Sequence, residues 1–254
     1  MSINFGICHI RGLVKMKVLE VKNLHFYYDN NKPILNDLSF NVKKREFVSI
    51  VGGSGCGKST IIKVLAGIEK ITQGDIKVDN SVSYMPQSDT LFPWRTILDN
   101  ILLPIEIKKG DLKKGKEKAL SLLERFNLID YWKSYPKELS GGMKQRISFI
   151  RTLMNEGELL LLDEPFSALD AITREDLQNW LLNSFSTLEK SIIFITHDID
   201  EAIFLSNRIL VCTKSPISNF KEFLIPKNMD SQYRLQLKKD IVSAIKGVNF
   251  YEEN

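Results

Sequence analysis

Gly52-Gly53-Ser54-Gly55-Cys56-Gly57-Lys58-Ser59-Thr60 is the stretch whose reading decides the fold. The apolar run Phe47-Val48-Ser49-Ile50-Val51 precedes it, and Ile61-Ile62-Lys63-Val64-Leu65-Ala66 follows. That order predicts a strand, a glycine-rich turn and a helix over Lys58–Ile68. The spacing fits G-x-x-x-x-G-K-[ST], a phosphate-binding loop. Its glycines let backbone N–H groups turn inward around an anion, and the helix N-terminus behind them adds positive charge. Lys58 is expected to reach the β- and γ-phosphates of a nucleotide, and Ser59 to give an oxygen to Mg²⁺.

Working outward, the bulk composition restricts the possibilities. A chain of 254 residues, 43% hydrophobic and 26% charged, suits one large domain or a core with an insertion, and excludes a disordered chain. The net charge of +4 suits a polyphosphate ligand or an anionic surface nearby and is too small to argue for nucleic acid. No apolar run reaches the length of about 18 residues needed to span a bilayer. Cys8, Cys56 and Cys212 are odd in number and scattered, so a reducing compartment is expected. His9, His25 and His197 form no cluster, which argues against a structural metal. Met1–Lys15 lacks the apolar core and cleavage site of a signal peptide, and Met16 stands directly before the first strand pattern. The first fifteen residues are therefore expected to be a dispensable extension.

On the N-terminal side of the loop, Val18–Tyr28 and Ile34–Val42 alternate apolar and polar residues as strands do. On the C-terminal side, Gly74–Asp79 and Val82–Met85 are short strand candidates. A helix is expected over Ile97–Leu103, capped by Thr96, and another over Ala119–Phe126. The Lys/Gly-rich stretch Lys108–Lys118 between them reads as an exposed loop. Helical pattern continues from Ser140 to Met154, so Ser88–Met154 reads as an inserted helical subdomain. The α/β core resumes with strand Leu159–Leu162, helix Asp170–Phe185, strand Ser191–Thr196 and helix Asp198–Leu205. Strands Arg208–Cys212 and Phe220–Ile225 and an amphipathic helix Asp230–Lys246 complete it. The fold class expected is α/β, a phosphate-loop NTPase core with an antiparallel β subdomain and an inserted helical subdomain.

Two further groups bear chemistry. Leu159-Leu160-Leu161-Leu162 ends in Asp163-Glu164, placing two carboxylates at the C-terminal end of a buried strand, where α/β sheets bind ligands. Asp163 is the candidate for the metal side and Glu164 for the general base. Leu139-Ser140-Gly141-Gly142-Met143-Lys144-Gln145-Arg146 carries a capping serine and two glycines that leave the first helical N–H groups uncovered. Two anion-type helix N-termini in one chain either share one nucleotide or face different ones.

These ordered motifs, spanning Tyr28 to His197, resemble the nucleotide-binding subunit of an ATP-binding-cassette (ABC) transporter, and Leu139–Gln145 is similar to that family's signature. The resemblance implies a head-to-tail dimer in which the signature of one copy closes over ATP held by the other. It further implies that Tyr28 stacks on adenine, that Gly52–Thr60 binds the phosphates, and that Ser140, Gly141 and Gly142 contact them in trans. Gln87 resembles the glutamine that senses Mg²⁺ and water and links to a membrane subunit. Asp170 resembles the acidic end of the interface loop Ser167–Asp170, and His197 the histidine at the γ-phosphate. Partners implied are a transmembrane permease and, through it, an extracytoplasmic substrate-binding protein, with the chain peripheral on the cytoplasmic face of the membrane and no nucleic acid bound.

Leu91–Asn100, Glu164–Arg174 and His197–Ala202 resemble importers of the nitrate/sulfonate/taurine type, a group that includes carriers of thiamine precursors. Tyr84-Met85-Pro86-Gln87 and Glu124-Arg125-Phe126 look closer to the pyrimidine-precursor branch. Asn155-Glu156-Gly157-Glu158 departs from the usual proline-containing approach to the apolar strand and leaves the candidate site positions unchanged. The competing classes are an exporter or lipoprotein-extraction ATPase, and a soluble ABC ATPase. The last carries two cassettes or a long coiled-coil insertion, neither of which is present. The expected layout is an extension over 1–15, an ABC ATPase domain over 16–229, and a terminal helix and tail over 230–254.

Overall fold

A computed structural model describes residues 16–28 and 32–247, without side chains for 186–188. The expected extension 1–15 lies outside the described residues. Strands β1 (Lys17–Tyr27), β2 (Pro33–Lys43), β3 (Phe47–Gly52), β4 (Gln73–Val78), β5 (Val82–Met85), β6 (Leu159–Asp163), β7 (Ser191–Ile195), β8 (Arg208–Cys212) and β9 (Phe220–Leu224) form two sheets. One is a three-stranded antiparallel sheet in the order β2-β1-β4. The other has six strands in the order β5-β6-β7-β3-β8-β9, parallel except for β9, which runs antiparallel to β8. The fold class expected from the sequence is the one observed.

The sequence pattern explains this division. β1 and β2 alternate buried and exposed positions, as strands with one wet face do. β6, β7 and β8 are buried at every position, and β3 at all but its last, as parallel strands covered on both faces must be. Val48, Ile50, Leu159, Leu161, Ile193 and Ile195 from one sheet face share a core with Leu19, Leu24, Leu38 and Phe40 of the antiparallel sheet. Phe47, Leu160, Leu162, Ile192 and Phe194 from the other face share a core with the helices.

The helices are α1 (Lys58–Leu65), α2 (Ile97–Ile107), α3 (Leu112–Arg125), α4 (Gly141–Leu153), α5 (Ala171–Leu188), α6 (Ile199–Leu205) and α7 (Ser231–Lys246). α1 is shorter than expected from the sequence, and α2 runs one turn longer. The charged stretch expected to be an exposed loop, Lys108–Lys118, is corrected: from Leu112 onward it is the first half of α3. Asp111 caps it by accepting from the N–H groups of Lys113 and Lys114. Its glycine is not a loop signal. A Cβ on Gly115 would lie 2.5 Å from Ile105 Cδ1, so Gly115 lets α3 approach α2 closely. α7 packs Leu237, Ile241 and Ala244 against Val51, Ile209 and Val211, closing the outer side of the sheet beyond β3 and β8.

Candidate functional site

The loop between β3 and α1 is built by its glycines. Gly55 and Gly57 take left-handed φ angles of +74° and +112°. A Cβ on Gly57 would also meet Ile34 Cγ2 at 2.7 Å, so that position excludes any side chain twice over. Lys58 is buried, and its Nζ donates to the carbonyls of Gly52 at 3.0 Å and Gly53 at 2.9 Å. The lysine therefore folds back across the turn that precedes it. Ser59, one residue on, donates its hydroxyl to Asp163 Oδ1 at 3.1 Å. Thr60 is buried at the start of the helix.

That hydrogen bond joins the loop to the end of β6. Asp163 completes the strand, and Glu164 turns away from it with φ of +47°. A left-handed glutamate costs about 1–2 kcal/mol, a strain held in place by the surrounding contacts. The Glu164 N–H donates to Ile195 at the end of β7, and its carbonyl accepts from Gln145 Nε2 at 3.1 Å and Ser167 Oγ at 3.0 Å. Its carboxylate lies between two other candidates: Gln87 Nε2 donates to Oε2 at 3.3 Å, and His197 Nδ1 is 3.3 Å from the same oxygen. β5, β6 and β7 thus bring Gln87, Glu164 and His197 to one edge of the sheet, although the residues are far apart in sequence. The His197 ring is 68% exposed, so this edge is open to a ligand.

The second anion-type turn is elsewhere. Ser140 caps α4 by accepting from the Met143 N–H at 3.3 Å. A Cβ on Gly141 would meet nothing within 4 Å, whereas one on Gly142 would touch Ala168 O and Leu169 at 3.4 Å. No hydrogen bond among the described residues joins Ser140, Gly141 or Gly142 to the phosphate loop; Gly142 instead abuts Ala168 and Leu169. Asp170 caps α5 by accepting from the Thr173 N–H, which holds its carboxyl below the usual range. Tyr28 is half exposed and meets Phe26 edge-on, with ring centroids 4.8 Å apart.

The electrostatics follow from burial. Burial pushes the Asp163 carboxyl up, with Ser59 and then Lys63 and Lys58 acting against the shift. Burial and the charge of Asp163 push the neighbouring Tyr84 phenol up to about 12. Burial likewise raises Glu201, which accepts from Thr196 Oγ1 at 2.6 Å and Gln178 Nε2 at 2.9 Å. Thr196 Oγ1 accepts in turn from the Asp198 N–H, so Glu201 braces the backbone on either side of His197.

The sequence alone assigns no task to Glu201, Gln145 or Cys212. Gln145 is buried at 3% exposure; its amide bridges the Glu164 carbonyl, Ser167 Oγ and the Ala168 N–H. Its position inside Leu139–Gln145 was the available signal. Cys212 pairs with Gly52 across β3 and β8, a neighbourhood that only the sheet register reveals.

Known proteins resemble this chain in sequence and in fold. Residues 35–167 match a family model described as ABC transporter. The chain is 38% identical over 236 residues to the formylaminopyrimidine import ATP-binding protein ThiZ of Halalkalibacterium halodurans, covering 89% of this chain and 95% of that protein. It is also 38% identical over 239 residues to the aliphatic sulfonates import ATP-binding protein SsuB of Bacillus anthracis, covering 89% and 94%. Among solved structures it resembles the dimeric structure of MJ0796, a bacterial ABC transporter cassette, with a TM-score of 0.74 at 27% identity over 83% of this chain and all of that one. A dimeric post-hydrolysis state of MJ0796 bound to ADP and Pi matches with a TM-score of 0.73.

Proposed function

The chain belongs to the ABC transporter family, and from that premise we propose a role for each residue at its site. It is an ATPase, the ATP-binding subunit of an import system, and it works as a pair of copies. The observation that supports the site reading best is the Ser59–Asp163 hydrogen bond, which joins the phosphate loop to an acidic strand end at 3.1 Å.

Gly52, Gly53, Ser54, Gly55, Cys56, Gly57 and Thr60 line the phosphates with backbone N–H groups and the start of α1. Lys58 exchanges its glycine carbonyls for phosphate oxygens. Ser59, Asp163 and Gln87 offer a hydroxyl, a carboxylate and an amide oxygen, a donor set that suits a hard cation such as Mg²⁺. When bound there, Mg²⁺ would neutralise charge on the β- and γ-phosphates. Glu164 orients and deprotonates the attacking water, His197 donates toward the γ-phosphate, and Gln145 and Glu201 hold these two groups in place. Tyr28 stacks on the adenine. Ser140, Gly141, Gly142 and Asp170 serve the nucleotide on the partner copy, in keeping with their separation from this copy's loop.

The permease is proposed to dock in the groove lined by Tyr84, Pro86, Phe92, Leu103, Pro104 and Ile107, beside Gln87. Peripheral attachment at the cytoplasmic face, and a substrate-binding protein across the membrane, follow from that partner. The cargo is proposed to be a small organic solute of the sulfonate or pyrimidine-precursor class, given the relatives' names. Within the chain we assign 16–229 to the ATPase domain, 88–154 to its helical subdomain and 230–247 to the terminal helix.

Glu164→Gln tests the site. It keeps the shape and removes the base. ATP hydrolysis should fall by about 10²–10⁴-fold, the usual contribution of a positioned general base, while ATP binding persists. Hydrolysis near the unsubstituted rate would remove Glu164 from this role.

A further inference from the structure

We propose that Cys56 in the phosphate loop and Cys212 at the end of β8 form a reversible disulfide, made by a hydroperoxide, that tethers the loop and stops nucleotide turnover. The bond itself stands on geometry alone; only its effect on turnover rests on the nucleotide reading above.

The geometry is local. Gly52 pairs with Cys212 across β3 and β8. The point where a Cβ on Gly52 would sit is 2.7 Å from Cys212 Cβ and 3.2 Å from Cys56 Sγ. Glycine at position 52 therefore leaves clear the space between the Cys212 Cβ and the Cys56 sulfur, where a Cys212 sulfur turned toward the loop would sit beside it. Both thiols are free, Cys212 buried and Cys56 partly exposed. Lys58 Nζ lies 3.9 Å from Cys56 Sγ. The neighbouring Cys212 thiol, together with the Lys58 charge, holds Cys56 well below the ordinary thiol range despite its burial. Cys212 moves the opposite way and keeps its proton. One sulfur is thus accessible and charged, and the other sheltered beside it: the arrangement of an attacking and a resolving cysteine.

The chemistry balances. The Cys56 thiolate attacks one peroxide oxygen; the O–O bond breaks, and the departing hydroxide takes a proton to become water. Cys56 is then a sulfenic acid. Cys212 gives up its proton, its sulfur attacks the Cys56 sulfur, and the S–O bond breaks to release a second water. The two sulfurs lose two electrons in all, and the peroxide gains them. The product pins Cys56 to β8 between the left-handed Gly55 and Gly57, so the turn can no longer adjust its N–H groups around phosphate.

The full-length protein would be treated with hydrogen peroxide, trapped with a thiol-blocking reagent and digested without reduction. Trypsin places Cys56 in Glu46–Lys58 and Cys212 in Ile209–Lys214. We expect these two peptides to appear linked, ATPase activity to drop by about tenfold or more, and dithiothreitol to reverse both. A Cys8→Ala background excludes the third thiol. Cys212→Ala and Cys212→Ser should keep untreated activity within about twofold, yet lose activity to peroxide irreversibly, because the sulfenic acid has no partner and oxidises further. The proposal is overturned if no linked peptide forms, if linkage leaves ATPase activity intact, or if Cys212 variants recover as the wild type does. An untreated protein without ATPase activity would instead sink the nucleotide reading, and peptide mapping would still decide the bond.

Discussion

Gln145→Leu separates the hydrogen-bonding role of one buried amide from its volume. Leucine fills nearly the same space, so the cavity contribution is small. What is lost is the set of bonds to the Glu164 carbonyl, Ser167 Oγ and the Ala168 N–H. The Glu164 carbonyl keeps a second donor, Ser167 Oγ at 3.0 Å, so it stays satisfied. The Ala168 N–H loses its 2.8 Å acceptor. Ala168 is exposed and the bond is only partly buried, so water can replace the lost acceptor, and the expected destabilisation is about 0.5–1.5 kcal/mol, the net worth of one such bond. With a urea m-value of about 2–3 kcal/mol/M, the midpoint should fall by roughly 0.2–0.7 M at unchanged slope. The same bonds fix the backbone of the strained Glu164, so kcat for ATP hydrolysis should fall more than tenfold while KM changes little, measured at a temperature where the variant is folded. Gln145→Ala should cost about 1–2 kcal/mol more, because its missing methylenes leave a void. A Gln145→Leu protein with unchanged urea midpoint and unchanged kcat would refute the claim that this amide holds the turn.

Two other outcomes are expected. Arg208 binds Glu46 through two nitrogens at 2.9 and 3.1 Å, both side chains being buried, so Arg208→Met should destabilise by about 3–5 kcal/mol in urea unfolding, and Glu46→Leu added to it should restore much of the loss. Burial raises the Glu201 carboxyl, with Asp198 adding to the rise and Thr196, Gln178 and Arg174 opposing it, so the folded state holds that proton more tightly than the unfolded one. Its contribution to stability is then full below the ordinary carboxylate range and lost as pH rises through the raised value; Glu201→Gln should flatten this part of the urea-midpoint profile, and an unchanged profile would count against it.

The phosphate loop and the acidic strand end were legible in the sequence because their chemistry is contiguous. An anion cradle needs its glycines, lysine and hydroxyl at fixed spacing along one turn, so the spacing is itself the signal. Gln87 and His197 were legible only through family resemblance; nothing local marks them, and they reach Glu164 by the pairing of β5 and β7 with β6. Gly115 misled because a glycine among lysines suggests a loop, whereas its cause is a side chain on another helix, Ile105. Cys212 was silent for the same kind of reason: its neighbour is set by strand register. The antiparallel β9 was equally hidden, since a short edge strand with no fully buried position fits either direction.

The position of β3 in the sheet has a consequence for biosynthesis. Phe47–Gly52 leaves the ribosome early, but both strands that flank it, β7 and β8, are made near the end of the chain. Until they arrive, the strand that aims the phosphate loop has no partner on either side, and the closing loop is long. A nascent chain can thus carry every residue of Gly52–Thr60 without the support that shapes it, so nucleotide affinity should appear late in translation and abruptly, as a report that the six-stranded sheet is complete.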